Sequence, residues 1–70
     1  MGNRMHMFML VDEINDLLLK HPISKLSVED DVELTRTVSA MLYEGLGRVP
    51  KFHLTANPYG HYELEVEGAE

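Results

Sequence analysis

A chain of 70 residues with 44% hydrophobic content is too apolar for a disordered acidic tail, and it suits one domain that buries about 60% of its unfolded surface. Twelve Asp and Glu residues against six Lys and Arg residues give a formal net charge of −6, which disfavours direct binding to nucleic acid or to an anionic membrane. Because no cysteine is present for disulfides or zinc, we expect a homodimer to supplement the thin core.

The first predicted element is an amphipathic helix from Met5 to His21, in which apolar side chains recur at steps of three and four residues. Pro22 ends it, because the residue before a proline is disfavoured in the helical region. The apolar positions are Met7, Leu10, Val11, Ile14, Leu17 and Leu18. Alternating side chains over residues 5–11 also permit a strand, with the helix starting at Asp12 as its N-cap.

The same N-terminal segment bears on location and assembly. Its apolar stretch is interrupted by His6 and ended by Asp12 and Glu13, which makes it too short to span a bilayer and unlike a signal peptide. We therefore expect a cytoplasmic protein. The helix carries more apolar residues than one core needs, and the surplus predicts a dimer contact through Met5, Phe8 and Met9.

A second helix is predicted to begin after Ser27, which is a favourable N-cap followed by acids that suit the first helical turn. Gly45 is placed where a left-handed residue would end the helix, and Gly47 and Pro50 support a stop in this region. The predicted buried face consists of Val28, Val32, Thr35, Val38, Met41 and Leu42.

The sharpest local signal is Asn57-Pro58-Tyr59-Gly60, between two alternating segments. It predicts a β-hairpin with a type I turn followed by a glycine at positive φ, which is a three-residue loop with a G1 bulge. This loop sets the register, and it places three apolar pairs on one face: Ala56–Tyr62, Leu54–Leu64 and Phe52–Val66. A two-residue loop would instead pair leucine and phenylalanine with glutamates.

The other face of the predicted hairpin is wholly polar, with Lys51 beside Glu67, His53 beside Glu65, Thr55 beside Glu63 and Asn57 beside His61. An isolated hairpin is marginal in water, so the apolar face must pack on the helices and the polar face must point outward. The expected fold is α+β, with two helices followed by a C-terminal antiparallel hairpin.

Catalytic and metal-binding patterns are absent from the sequence. No Ser or Cys is paired with a His and an orienting group, and there is no nucleophile elbow or Gly-rich phosphate loop. His53, His61, Glu63 and Glu65 share the polar face, but their spacing is not that of a zinc site. We expect a hydrogen bond between His53 and Glu65, no bound metal, no cofactor and no enzymatic activity.

The acids are the best candidates for function. Residues 27–33 and 52–70 each hold four acids and no Lys or Arg, so eight of the twelve acids lie in two segments. Acidic first turns and outward charges on a hairpin also stabilise structure without any partner. The candidate partner-binding residues are Glu29, Asp30, Asp31, Glu33, Glu63, Glu65 and Glu67.

In its small size, clustered carboxylates, lack of cysteine and lack of a catalytic set, the chain resembles the DNA-mimic inhibitors that lytic phages make to take over a host cell. The resemblance implies a viral protein that acts in the host cytoplasm. Its partner would be a basic DNA-binding protein, such as a histone-like nucleoid protein, whose DNA-binding surface it blocks. Lys20, Lys25, Arg36, Arg48 and Lys51 make this surface less one-sided than that of extreme mimics. The alternative is a protein-interaction module, antitoxin-like or adaptor-like, that docks through the apolar N-terminal helix.

Overall fold

The computed structural model describes the backbone of residues 2–67 and the side chains of residues 7–67. Helix α1 (Gly2–Leu19) is followed by a short 3₁₀ helix (Ile23–Lys25) and by helix α2 (Val28–Leu46). Strands β1 (Phe52–Ala56) and β2 (Tyr62–Val66) then form an antiparallel two-stranded sheet. The predicted α+β fold, two helices followed by a C-terminal hairpin, is confirmed.

Helix α1 differs from the prediction at both ends. It begins at Gly2 rather than Met5 and ends at Leu19 rather than His21, and the alternative strand over residues 5–11 is wrong because this segment is helical. At the C-terminal end, the N–H groups of Lys20 and His21 donate to carbonyls three residues earlier, at 3.1 Å each. These tight bonds close the last turn before the proline is reached.

Helix α2 begins as predicted, with Ser27 as its N-cap. The Asp30 N–H donates to the Ser27 hydroxyl oxygen at 3.0 Å, and the Ser27 N–H donates to the Asp30 carboxylate at 3.3 Å. This reciprocal pair is a capping box, which satisfies two amides that the first helical turn leaves free. The side chain of Asp30 therefore stabilises the start of α2.

The buried face of α2 is only partly the predicted one. Val38 and Leu42 are fully buried and Met41 is partly buried, as expected. Val28 and Val32, however, are 82% and 51% exposed, and Thr35 is also exposed. The helix instead buries Leu34, since Leu34, Val38 and Leu42 form a continuous stripe at steps of four residues.

The C-terminal cap of α2 is Gly47 and not Gly45. Gly47 adopts φ 77° and its N–H donates to the Tyr43 carbonyl at 2.8 Å. Gly45 lies inside the helix, where a Cβ would come 2.5 Å from Cδ2 of Leu10 on α1. Gly45 thus allows a close approach of the two helices, and Gly47 supplies the left-handed conformation.

The hairpin has the predicted loop and register. Its pairs are Phe52–Val66, His53–Glu65, Leu54–Leu64, Thr55–Glu63 and Ala56–Tyr62. Gly60 adopts φ 93°, and its N–H donates to the Asn57 carbonyl at 3.3 Å. The Asn57 side chain also accepts from the N–H groups of Tyr59 and His61, which holds the turn together.

The core lies between the helices and the apolar face of the hairpin. Helix α1 contacts both α2 and β2. The buried core residues are Ile14, Leu18, Leu34, Val38, Leu42 and Leu64. The hairpin is also held by two polar contacts: the Ile23 N–H donates to the Gly60 carbonyl at 2.9 Å, and the Leu64 N–H donates to the Asn15 side chain at 2.9 Å.

Candidate partner-binding surface

The outward face of β2 carries a row of three carboxylates. Glu63 and Glu65 lie in β2, and Glu67 directly follows its last residue. The three occupy alternate positions, and all are exposed. Alternate residues of a strand share one face and repeat about every 6.6–6.8 Å. We call these three residues the glutamate row. The predicted outward orientation of the row is confirmed.

The side chains that contact the glutamate row are a histidine and an asparagine, and Lys51 lies across from Glu67, whose N–H donates to the Lys51 carbonyl. His53 Nε2 lies 2.6 Å from Glu65 Oε1, and His53 Nδ1 lies 3.8 Å from Glu67 Oε2. The Asn57 side-chain amide donates to Glu63 at 3.1 Å. The predicted bond between His53 and Glu65 is therefore confirmed. Within residues 7–67, no Lys or Arg forms an ion pair with the row. Each of its carboxylates contacts His53 or Asn57, and all three side chains remain exposed.

The acids at the start of α2 have mixed roles. Glu29 and Glu33 are exposed, whereas Asp30 is engaged in the capping box. Asp31 is partly buried, and its carboxylate accepts a hydrogen bond from the Tyr62 hydroxyl at 3.2 Å. Of the four predicted partner-binding residues in this helix, only Glu29 and Glu33 have side chains that form no hydrogen bond or ion pair within the described region.

Tyr62 connects the start of α2 to the start of β2, and its environment changes its acidity. Burial raises the pKa of the Tyr62 hydroxyl above its usual value of 10.0, and the negative charge of Asp31 and the hydrogen bond to it raise the pKa further. The hydroxyl thus remains a donor to Asp31 at neutral pH. This contact fixes where the acids of α2 lie relative to the sheet.

The two acidic segments lie on different sides of the hairpin. Tyr62 belongs to the apolar face, which packs on the core, and its contact with Asp31 places the start of α2 on that side. Side chains at alternate positions of β2, including the glutamate row, point the opposite way. Within one chain, the helix acids do not extend the row into a single flat acidic surface.

The predicted dimer contact falls on the exposed side of α1. Phe8 and Met9 are 66% and 60% exposed, and the side chain of Met5 lies outside the described residues. Two neighbouring large apolar side chains in water form a potential contact for another protein. The dimer contact through Met5, Phe8 and Met9 stays a prediction.

One open cleft was not predicted from the sequence. It has a volume of about 530 Å³ and lies between the end of α1, the 3₁₀ helix and α2. Its walls combine apolar side chains with charges of both signs, which include Leu17, Lys20, Lys25, Glu33 and Leu34. Thr37 also lines the cleft, and its hydroxyl donates to the Glu33 backbone carbonyl at 3.0 Å rather than to a side-chain base, which is not the arrangement of an activated nucleophile.

Among the described residues, no group of three or more His, Cys, Asp or Glu side chains is arranged to hold a metal ion. No helix in this part of the chain combines the length and apolar character needed to cross a membrane. Comparison with protein-family models, curated proteins and solved structures found no match.

Proposed function

We propose that this protein is a non-enzymatic acidic binding protein that occupies the DNA-binding surface of a basic DNA-binding protein and thereby inhibits it. The observation that supports the proposal is the glutamate row on β2, which is exposed and has no Lys or Arg paired with it in the described region. A host histone-like nucleoid protein in the cytoplasm is the kind of partner that the proposal requires.

The spacing of the row supports binding to a surface that recognises phosphates. Alternate residues of a strand repeat about every 6.6–6.8 Å, whereas one strand of a DNA duplex carries a phosphate about every 3.4 Å along the axis. The row therefore supplies roughly half the linear charge density of one strand. A basic groove that binds phosphates would be partly neutralised by it, and further acids must come from elsewhere on the protein or from a second copy.

The fixed position of the glutamate row also supports the proposed binding function. Glu63 and Glu65 are presented by a strand whose register is fixed by the G1-bulge loop and by the apolar pairs behind it. Glu67 directly follows this strand and is held by the hydrogen bond from its N–H to the Lys51 carbonyl at 2.8 Å. Charges held on a regular element lose less conformational freedom on binding than charges on a flexible tail. Such a surface steers a basic partner to fast association that weakens as salt is added.

The test compares two triple variants with the same change in net charge. The first is Glu63→Gln, Glu65→Gln and Glu67→Gln; the control is Glu13→Gln, Asp16→Asn and Glu44→Gln, which changes three exposed acids on the helices. Binding to a purified bacterial histone-like nucleoid protein, and displacement of a labelled DNA duplex from it, are measured at low and high salt.

We expect the row variant to bind about 10–100-fold more weakly at low salt, because close charge pairs are lost. At about 0.1 M salt the control should change affinity by only a few-fold, since the Debye length is then about 10 Å and exposed charges farther than this from the partner are screened. Equal losses in both variants would mean that only net charge matters, and unchanged binding of the row variant would refute the proposal.

A second candidate function is a protein-interaction module that docks a partner helix or subunit on α1. The exposure of Phe8 and Met9 supports it, because neighbouring exposed apolar side chains mark contact surfaces. Its complex should survive high salt and be lost on Phe8→Asp or Met9→Asp. The glutamate row variant should leave it intact, which separates the two functions.

A further inference from the structure

The outer edge of β1 presents backbone groups with no partner among residues 2–67. The Asn57 N–H donates to the His61 carbonyl, and the Glu67 N–H donates to the Lys51 carbonyl. In an antiparallel pair, hydrogen-bonded and non-hydrogen-bonded positions alternate. Odd-numbered residues of β1 therefore bond to β2, whereas the N–H and C=O groups of Phe52, Leu54 and Ala56 point to the free edge.

The corresponding edge of β2 is already engaged. By the same alternation, the Leu64 N–H points away from β1, and it donates to the Asn15 side chain of α1 at 2.9 Å. Helix α1 also packs over β2. The two edges of this sheet are thus unequal, and β1 is the edge that remains available for pairing with another strand.

Two prolines flank the free donors of this edge. Pro50 and Pro58 lie at the next positions in the outward-facing series, and a proline has no N–H to donate. Donors on this edge are therefore confined to Phe52, Leu54 and Ala56. When Leu54 lies opposite Leu54 and Phe52 lies opposite Ala56, an antiparallel copy of β1 uses all three donors of each chain in reciprocal pairs, and none of these pairs contains a proline.

Charge also selects the β1 edge for a second copy. In the register centred on Leu54, His53 of one chain lies opposite Thr55 of the other, so no like charges face each other. Pairing of two β2 edges about Leu64 would place Glu63 of one chain opposite Glu65 of the other. Like charges directly opposite each other destabilise a sheet.

From these observations we infer that the protein forms a two-fold symmetric dimer through β1, in which two hairpins join into one antiparallel four-stranded sheet. The partner is a second copy of this chain, because the reciprocal pairs use every free donor of β1 and bring no like charges opposite each other. The apolar face becomes continuous across the seam, where Phe52 packs against Ala56 of the partner subunit. The polar face becomes continuous as well.

The dimer has a consequence for the acidic surface, and this consequence rests on the proposed function. It places two glutamate rows on the same face of one sheet, one on each outer strand. The rows are separated by three strand spacings, or about 14 Å. Strand twist of about 20–25° per step turns one row by roughly 60–75° relative to the other. The pair therefore widens the acidic surface and supplies charges that one copy lacks.

The test uses the matched substitutions Ala56→Lys and Ala40→Lys. Both alanines are exposed in the single chain, but only Ala56 lies at the proposed seam, where lysine would face Phe52 of the partner subunit. Sedimentation equilibrium should give the wild type twice the mass of one 8.0 kDa chain. Ala40→Lys should also be dimeric, and Ala56→Lys should be monomeric at the same concentration.

Amide hydrogen exchange provides a second measurement that needs no variant. The N–H groups of Phe52, Leu54 and Ala56 are free in the monomer and bonded in the dimer, so their exchange should slow by roughly tenfold or more as the wild-type concentration is raised. The amides of Thr55 and His53, which bond within the hairpin, serve as internal controls that change less.

A monomeric wild type, a dimer that withstands Ala56→Lys, or exchange at the edge amides that does not depend on concentration would each overturn the inference. A dimer that dissociates on Phe8→Asp instead would place the seam on α1. The proposed function is tested separately, because the glutamate row variant keeps the β1 edge. If the glutamate row variant loses binding to the nucleoid protein but remains dimeric, the two proposals have been tested independently of each other.

Discussion

The side chain of Asn15 accepts a hydrogen bond from the backbone N–H of Leu64 at 2.9 Å. This bond joins the middle of α1 to the outer edge of β2, at a partly buried position next to the core. It explains why only one edge of the hairpin is open. It also attaches the strand that carries the glutamate row to the helix beneath it.

Removing this acceptor should destabilise the protein. Asn15→Ala leaves the Leu64 N–H partly buried without a partner, which costs about 1–3 kcal/mol in the free energy of unfolding. Asn15→Asp keeps an acceptor oxygen and should cost less. Urea denaturation followed by circular dichroism measures both, with the exposed neighbour Asp16→Ala as the control, expected within about 0.5 kcal/mol of wild type. A loss no larger than that of the control would show that the bond contributes nothing.

The contact between Tyr62 and Asp31 predicts a loss of stability at high pH. Burial raises the pKa of Tyr62 above 10.0, and Asp31 raises it further. A group with a raised pKa in the folded state binds its proton more tightly when folded. Its stabilisation is therefore complete below the unfolded pKa of about 10 and is lost as pH rises through the folded pKa.

Urea titrations at pH 8 and above pH 10 test this expectation. The wild type should lose more stability between the two conditions than Tyr62→Phe, which has no hydroxyl to ionise. Asp31→Asn should lower the pKa of Tyr62, measured from the ring signals of Tyr62 by NMR. At pH 8, Tyr62→Phe should cost about 0.5–1.5 kcal/mol for the lost hydrogen bond. Identical pH dependence in Tyr62→Phe and wild type would contradict the assignment.

The capping box predicts a non-additive pair of substitutions. Ser27→Ala should cost about 1 kcal/mol, because the hydroxyl is the acceptor for the Asp30 N–H. Asp30→Ala removes the reciprocal bond to the Ser27 N–H. Since the two bonds support each other, the double variant should lose less than the sum of the single losses. Thermal unfolding of all four proteins measures the coupling, and strict additivity would argue against a reciprocal box.

The local elements that the sequence predicts correctly are those with a short-range cause. Ser27 precedes its own helix, so the cap can be recognised without knowing the fold. The loop Asn57–Gly60 determines the hairpin register, because the turn type and the apolar pairing must agree. Both signals lie within a few residues of the structure that they specify, and both are confirmed.

The predictions that prove wrong concern contacts between segments that are distant along the chain. Helix α2 has apolar residues on more than one side, and its position against α1 decides that Leu34 is buried and Val28 is exposed. The choice between Gly45 and Gly47 as the cap depends likewise on the approach of Leu10. The step of four from Leu34 to Val38 and Leu42 was the available signal for the buried face.

In the candidate site, too, the features with a local cause could be predicted and those that depend on long-range contacts could not. Alternation along β2 was sufficient to predict an outward glutamate row. The structural roles of Asp31 and Asn15 depend on Tyr62 and Leu64, which lie 31 and 49 residues away along the chain. No periodicity or capping rule connects residues at that separation, so neither contact could be predicted from sequence patterns alone.

The close approach of Gly45 and Leu10 predicts a substitution whose effect reverses sign. In the wild type, Gly45→Ala would place a Cβ 2.5 Å from Leu10 Cδ2 and 3.3 Å from Leu10 Cγ. Overpacking of this kind costs about 1–3 kcal/mol, against a gain of about 1 kcal/mol in helix propensity. We expect a net loss of about 1 kcal/mol in the free energy of unfolding.

In a Leu10→Ala background the clashing atoms are gone, so only the propensity gain remains. The same Gly45→Ala change should then stabilise the protein by about 0.5–1 kcal/mol relative to Leu10→Ala alone. Chemical denaturation of the four proteins completes the double-mutant cycle. Because the exposed Gly47 at φ 77° meets no atom within 4 Å, Gly47→Ala is the matched control and should be destabilising in both backgrounds through backbone strain. If Gly45→Ala has the same effect with and without Leu10, the two helices do not meet at this point.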